Sequence, residues 1–317
     1  MSSPIFFKPL YMERVWGGRG LEAKLGRTLP PEKIIGESWE IVDRPEAQSI
    51  VSAGNYKGLT IRELLEAHCE SIMGPSYDGN TPFPILIKWL DCQEKLSLQV
   101  HPPARVAGEL KGEPKTENWY IADVEDGAEM MVGLKKGVTK EQFEAALKNN
   151  ALEPLVHKAT VSPGDSIFVW SGRLHAIGAG NFILEIQQNS DTTYRVYDWG
   201  RVGLDGQPRD LHVDESMKSI EFEDFEPEPQ RDTQPGDTLA DCEEFRIVKE
   251  RVEGKKTLCF PANTEPVLVN IVSGCVEVQG SELTRFSKGD TVLLPFNGGF
   301  EIVSYEGADL LITDRFA

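Results

Sequence analysis

Nothing in this 317-residue chain approaches the roughly 20 consecutive apolar residues of a membrane-spanning helix. Its longest apolar stretches are far shorter, and the one from Pro84 to Leu90 is interrupted by Lys88. The N-terminus, MSSPIFFKPLYMERVWGG, lacks the basic start and extended apolar segment of a signal peptide. Cysteine is scarce: five residues, an odd number, with no two spaced as CxxC. That argues against a disulfide framework or a thiolate zinc site and fits a reducing compartment. Positive charge is also in deficit, 33 Lys and Arg against 51 Asp and Glu, for a formal net charge of −18. Nucleic acid and anionic membrane surfaces are therefore poor partners, and an anionic ligand would need a local basic patch to overturn the global field. The expectation is a soluble, cytoplasmic protein whose oligomeric state the sequence leaves open.

The length suggests about two domains or one large one. With 40% hydrophobic and 26% charged residues, the chain can bury a core without covalent staples. Gly and Pro make up 49 residues and recur between short apolar runs, which reads as many strands joined by tight turns. Residues 85–90, 96–101, 158–161, 166–170, 182–187, 193–198, 267–272 and 291–294 are strand-like. Two helices are signalled by capping boxes, Thr60 with Glu63 and Thr139 with Gln142, the first stopped by Gly74. No regular βα alternation appears, so a sandwich or barrel is expected rather than a parallel sheet.

From Glu221 to Asp237 the chain holds seven acids, one Arg and three prolines, and reads as a solvated linker before a strand-rich C-terminal part. One internal repeat stands out. Val161-Ser-Pro-Gly-Asp-Ser-Ile-Phe-Val169 matches Phe286-Ser-Lys-Gly-Asp-Thr-Val-Leu-Leu294 at a constant offset of 125 residues. The same offset sets His175 against Phe300, so a duplicated β-domain is expected in which only one copy carries chemistry.

The chemistry gathers around Leu96-Ser-Leu-Gln-Val-His101, which alternates strictly: Ser97, Gln99 and His101 share one strand face, Leu96, Leu98 and Val100 the other. Residues i and i+2 on a strand stand about 7 Å apart and can converge on one ion. Taken with Glu117 and His175, these residues offer two imidazoles, a carboxylate and an amide oxygen. That set suits a divalent ion of borderline softness, zinc first, with Mn, Fe, Co or Ni as alternatives. Lys88 lies in an otherwise apolar strand, where burying its charge without an anion is costly.

The run Gly164-x5-Trp170-x-Gly172-x2-His175 resembles the second motif of the cupin superfamily, and Gln99-x-His101 its first, with Gln for one His. Glu117 follows His101 with fifteen residues intervening, an insertion that 103–110 would fill as a short helix before Gly112. Further motifs occur in order: Trp16-Gly-Gly18, Gly36-Glu-Ser-Trp-Glu40, Pro84-Ile-Leu-Ile-Lys88, Lys115-Thr-Glu-Asn-Trp-Tyr120, Gly172-Arg-Leu-His-Ala-Ile177, Gln188-Asn-Ser-Asp-Thr-Thr-Tyr-Arg195, and Tyr197-Asp-Trp-Gly-Arg201 leading to Leu211-His212. Together they resemble the type I mannose-6-phosphate isomerase family in its short bacterial form, densely over residues 1–220.

The resemblance implies a mainly β fold of two cupin jelly-roll barrels, with a few short helices inserted in the N-terminal one. Residues 1–235 would form the metal-bearing catalytic domain, and 236–317 a C-terminal cupin-like domain without metal ligands. It implies one zinc ion per chain on Gln99, His101, Glu117 and His175. Lys115, Asp191 and Arg195 would be catalytic residues, and Lys88 and Ser97 would bind a small phosphorylated sugar. Mannose 6-phosphate and fructose 6-phosphate would interconvert through a cis-enediol. An iron-dependent cupin oxygenase and a non-catalytic sugar-binding bicupin are the alternative readings. His68, His157 and His212 have no expected ligand role; His212 belongs to the family-like loop and is expected to be structural.

Overall fold

The computed structural model describes residues 2–317. About 40% of the chain is strand and 13% helix, so the architecture is mainly β. No helix among the described residues is long and apolar enough to cross a membrane. Two compact units are formed: a first of Tyr11–Glu37 and Leu90–Asp232, and a second of the residues up to Leu10, Ser38–Trp89 and Thr233–Ala317.

The first unit is built on two sheets. One runs in the order Val156–Thr160, Glu129–Leu134, His175–Ile177, Leu98–Val100, Tyr194–Tyr197. The other includes Ser166–Val169, Glu117–Val124 and Asn181–Gln188, adjacent in that order. Strand alternation sorts the side chains. Met130, Val132 and Ile177 from the five-stranded sheet bury with Trp119, Ile121, Ile167, Val169 and Ile183 in one apolar cluster. Residues of opposite parity, Leu98, Val100, Met131 and Ala176, turn the other way into a second cluster with Phe143, Leu152 and Ile220. Leu98 and Val100 thus share a face as the alternation requires. Leu96 joins the first cluster instead, because regular pairing begins only at Leu98.

Both helix signals hold. Thr60 and Glu63 close a capping box on Ile61–Met73, with Gly74 at its end, and Thr139 and Gln142 close another on Lys140–Lys148. The Ile61–Met73 helix groups with the C-terminal residues, whereas the sequence reading places it in an N-terminal domain of 1–235. The cause is tertiary: Phe296 N donates to Ile72 O at 2.9 Å, and Trp89 Nε1 donates to Gly289 O at 3.1 Å. The insertion before Glu117 contains a single helical turn, Ala104–Ala107, and Gly112 N closes onto Ala107 O at 2.9 Å.

The second unit carries a sheet centred on the 13-residue strand Val267–Gln279. Here the sequence repeat is realised in three dimensions. Ser166–Val169 and Thr291–Leu294 are both strands. Each follows the same turn, with Ser162 N on Asp165 Oδ2 at 3.0 Å and Ser287 N on Asp290 Oδ2 at 2.8 Å. Gly164 and Gly289 sit at φ 95° and 97°, the left-handed region that favours glycine. The Gly164 N–H donates to Ile121 O and the Gly289 N–H to Ile271 O, at 2.8 and 2.9 Å. Pairing then sets Glu117 opposite Val169 and Val267 opposite Leu294. The counterpart of Glu117 is therefore Val267. Phe300, the counterpart of His175 by the offset, opens the strand Phe300–Val303 and is buried in an apolar cluster that includes Val267.

The acidic segment departs from expectation. Residues 221–232 are not a solvated tether but a strap laid along the first unit. Leu134 N donates to Asp224 O at 2.9 Å, Glu226 N returns to Leu134 O at 2.9 Å, and Ser166 and Gln230 exchange two backbone bonds at 2.8 and 2.9 Å. Phe222 packs edge-on against buried Phe143, ring centroids 5.6 Å apart. Composition averaged over the segment hides these few docking residues among its carboxylates.

Candidate metal centre

Four candidate ligands stand on the inward faces of the first unit's two sheets. Glu117 shares its face with Trp119 and Ile121, and His175 shares its face with Ile177; all three of these neighbours lie in the inner apolar cluster. His175 pairs directly with Gln99, and Gln99 on its other side with Arg195. Directly opposed residues point to the same side, so His175, Gln99 and Arg195 form a row across three adjacent strands. His101 follows Gln99 by two residues on that face.

His101, Glu117 and His175 are buried, and their ligand atoms all lie within 4.8 Å of one another. His101 Nδ1 is 2.8 Å from Thr192 O, and His175 Nδ1 is 2.8 Å from Arg173 O. A carbonyl can only accept, so each ring donates from Nδ1 and turns its Nε2 lone pair inward. His101 Nε2 stands 3.6 Å from Glu117 Oε2, and His175 Nε2 stands 3.6 Å from Glu117 Oε1. Neither carboxylate oxygen accepts a hydrogen bond of good geometry, although Lys115 Nζ lies 2.5 Å from Oε2. Donors held at zinc–nitrogen and zinc–oxygen distances by a tetrahedral ion stand about 3.4 Å apart. The donors present here fit such an ion.

Charge states agree with that fit. Burial, and then the Lys115 charge, lower the His101 pKa below its ordinary value. Burial, and then His101, bring His175 down to about 3. Burial alone would raise Glu117, but the Lys115 ammonium beside it holds its carboxyl well below the usual carboxylate range. The set is thus two neutral imidazoles and one carboxylate, the forms that ligate metal. Gln99 presents its amide nitrogen 3.3 Å from His175 Nε2 while Ser97 Oγ donates to its oxygen at 3.2 Å. Turned by 180°, the amide offers its oxygen to the centre and its nitrogen to Ser97 Oγ, which accepts equally well.

The other candidates divide. Lys115 lies on the centre: besides Glu117, its Nζ is 3.4 Å from His101 Nε2 and 3.5 Å from Glu185 Oε1. Burial would lower its pKa, but Glu117 and Glu185 outweigh that and raise it. Arg195 is half-buried, with Nη1 donating to Asp210 O at 2.7 Å and a buried Nε that has no hydrogen-bond partner. Burial, and then Arg209, lower its pKa. Asp191 is exposed, and its charge acts on Lys115 and Arg14. Ser97 is buried beside Gln99. Lys88 belongs to the second unit, where it is buried with Nζ 5.0 Å from the Trp39 ring centroid.

One neighbour escaped the sequence reading. Glu185 is buried, pairs with Lys115 and accepts from Trp119 Nε1 at 3.1 Å, while the Trp119 ring meets His175 edge-on at 5.3 Å. Its signal was available: an ionisable residue in an apolar strand, as at Lys88. His212 Nδ1 accepts from Arg195 N at 3.2 Å and so ties the loop that follows to this strand.

A family model of the phosphomannose isomerase type I catalytic domain matches residues 5–147. The mannose-6-phosphate isomerase ManA of Bacillus subtilis is 37% identical over 320 residues, 96% of this chain and 97% of that relative. A crystal structure of the mannose 6-phosphate isomerase from Bacillus subtilis superposes with a TM-score of 0.88 at 31% identity, covering 98% of this chain and 99% of that one. A mannose 6-phosphate isomerase bound with zinc and yttrium shares the fold, with a TM-score of 0.76 at 14% identity and 99% coverage of both chains.

Proposed function

The chain belongs to the type I phosphomannose isomerase family, and we propose that it interconverts mannose 6-phosphate and fructose 6-phosphate at a metal centre formed by Gln99, His101, Glu117 and His175. The observation that carries this reading is the buried, ionised Glu117, whose two oxygens each face a neutral Nε2 atom at 3.6 Å, with the Lys115 ammonium beside Oε2. Zinc is the ion proposed, one per chain, supported by the donor set and by the zinc-bound neighbour of the same fold. When bound, it supplies Lewis-acid stabilisation for sugar oxygens that gain negative charge.

The chain's own residues supply the rest of the proposed chemistry. A proton moves between C1 and C2 through a cis-enediol, so the site must handle protons and shelter an oxyanion. The Lys115 ammonium sits beside the ligands, where a sugar hydroxyl would lie. Arg195, two strands from His175 in the same row, offers a permanently charged fork for the developing charge. Asp191, which acts electrostatically on Lys115, completes the acid–base set. The second unit, with Val267 and Phe300 in place of Glu117 and His175, is proposed as a cupin-like β-domain without metal.

The test is a coupled assay with mannose 6-phosphate before and after chelation. Activity is expected to disappear with the metal and return on adding zinc; full-rate isomerisation by stripped protein overturns the reading. Lys88 is proposed to bind the phosphate group together with Ser97. A hydrogen bond to a charged group is worth about 1.5–3 kcal/mol. Lys88→Met is therefore expected to raise the KM for mannose 6-phosphate about tenfold or more and to weaken competitive inhibition by inorganic phosphate, with kcat little changed. An unaltered inhibition constant for phosphate would assign Lys88 to packing alone.

A further inference from the structure

The three residues Ser171-Gly172-Arg173 touch each acidic or imidazole ligand of the centre or the residues just before it. Ser171 Oγ accepts from Lys115 N at 2.9 Å and lies 3.3 Å from Thr116 Oγ1, next to Glu117. Gly172 N donates to His101 O at 2.8 Å. The Arg173 carbonyl accepts the Nδ1 proton of His175 at 2.8 Å, the bond that fixes the tautomer and ring orientation of that ligand. Placement of this segment is therefore placement of the ligands.

Two contacts from the acidic strap set that placement. Glu221 N donates to Gly172 O at 2.9 Å. The Asp224 carboxylate takes Arg173 as a fork, Nε on Oδ2 at 2.7 Å and Nη2 on Oδ1 at 2.9 Å, with both side chains buried. Arg173 is held further by Nη1, which donates to Phe168 O at 2.6 Å, and by the Trp170 ring, whose centroid lies 4.2 Å from the guanidinium. Asp224 in turn is held to Leu134 by its own carbonyl. A planar bidentate pair of this kind fixes direction as well as distance, which a single contact does not.

We propose that Asp224 is a positioning residue for the metal centre: through Arg173 it holds the carbonyl that orients His175, so the strap of residues 221–226 sets how tightly the ion is kept. The inference rests on the metal-centre reading above and adds a role to a segment whose composition suggests only solvation. Outer partners of metal-ligating histidines typically change metal affinity by about 10–100-fold when altered.

Zinc itself is the probe. The metal-free full-length protein is titrated with zinc against a chromophoric chelator, and the stability of the same metal-free samples is measured by denaturant unfolding. Asp224→Asn, nearly isosteric, is expected to weaken zinc at least about tenfold while the protein remains folded, and Asp224→Glu to recover part of the loss. Arg231→Met serves as the control, since Arg231 pins the same strap to Asp165 at 3.2 Å without reaching Arg173. It is expected to lower stability with zinc affinity within twofold of the parent. Zinc affinity unchanged in Asp224→Asn, or lowered equally by Arg231→Met, overturns the positioning role and leaves the metal centre standing. A parent protein that takes up no zinc overturns both.

Discussion

Replacing His175 with alanine is expected to remove the metal and at least about a thousandfold of kcat/KM in one step. Charge stabilisation by a bound metal is worth several kcal/mol in a reaction of this type, and each 1.36 kcal/mol is about tenfold in rate. The substitution deletes one of three buried donors and leaves Glu117 facing a cavity on that side. Nearby side chains offer no replacement: Trp119 Nε1 is a donor already committed to Glu185, and Gln99 is already one of the proposed ligands. The contrast is Phe300→Ala at the equivalent place in the repeat. Phe300 is buried among Val267, Val269, Ile302 and other apolar side chains, so its truncation is expected to cost about 3–5 kcal/mol of stability. Turnover per folded molecule should stay at the parent value. Elemental analysis, the coupled assay and denaturant unfolding on both variants decide the matter. Stoichiometric metal in His175→Ala, or a slower folded fraction in Phe300→Ala, contradicts the division of labour between the two copies.

What the sequence makes legible here is local. The two capping boxes are stated by four residues, Thr60, Glu63, Thr139 and Gln142, and both form. Alternation along 98–101 separates the buried Leu98 and Val100 from Gln99 and His101 without knowledge of any partner strand. The Gly-Asp turn repeats because one hydrogen-bonded geometry, with glycine at positive φ, serves both copies. Partner choice is another matter. That Gln99 lies between His175 and Arg195 depends on which strands become neighbours, and periodicity carries no such information. The resemblance supplied the grouping that spacing alone could not, since fifteen residues separate His101 from Glu117. The strap failed for a related reason. Seven acids in seventeen residues read as solvated, yet Asp224 is buried because Arg173, far away in sequence, meets it with a matching charge. The grouping of Ile61–Met73 with the C-terminal residues is likewise set by contacts such as Phe296 with Ile72 that no local pattern announces.

Lys115→Met is the second change expected to have a large effect, and its interest lies in separating two roles that one ammonium fills. Lys115 Nζ lies 2.5 Å from a Glu117 oxygen and 3.5 Å from a Glu185 oxygen, with all three side chains buried. Methionine is near lysine in length and keeps the packing, but it leaves Glu185 without this cation. An uncompensated buried charge typically costs about 3–5 kcal/mol, so the single variant should be less stable as well as slow. General acid–base assistance is worth about 10²–10⁴-fold, which sets the expected fall in kcat. Zinc is expected to remain, because His101, Glu117 and His175 are untouched. Lys115→Met/Glu185→Gln then discriminates between the roles. The amide keeps an oxygen for Trp119 Nε1 and removes the unpaired charge, so stability should return toward the parent. If Lys115 merely neutralised Glu185, activity would return as well. A proton-handling or oxyanion-sheltering role predicts a stable, zinc-loaded double variant that remains about 10²-fold slow or worse. Parent-like kcat in either variant would remove Lys115 from the chemistry and leave it as a counter-ion.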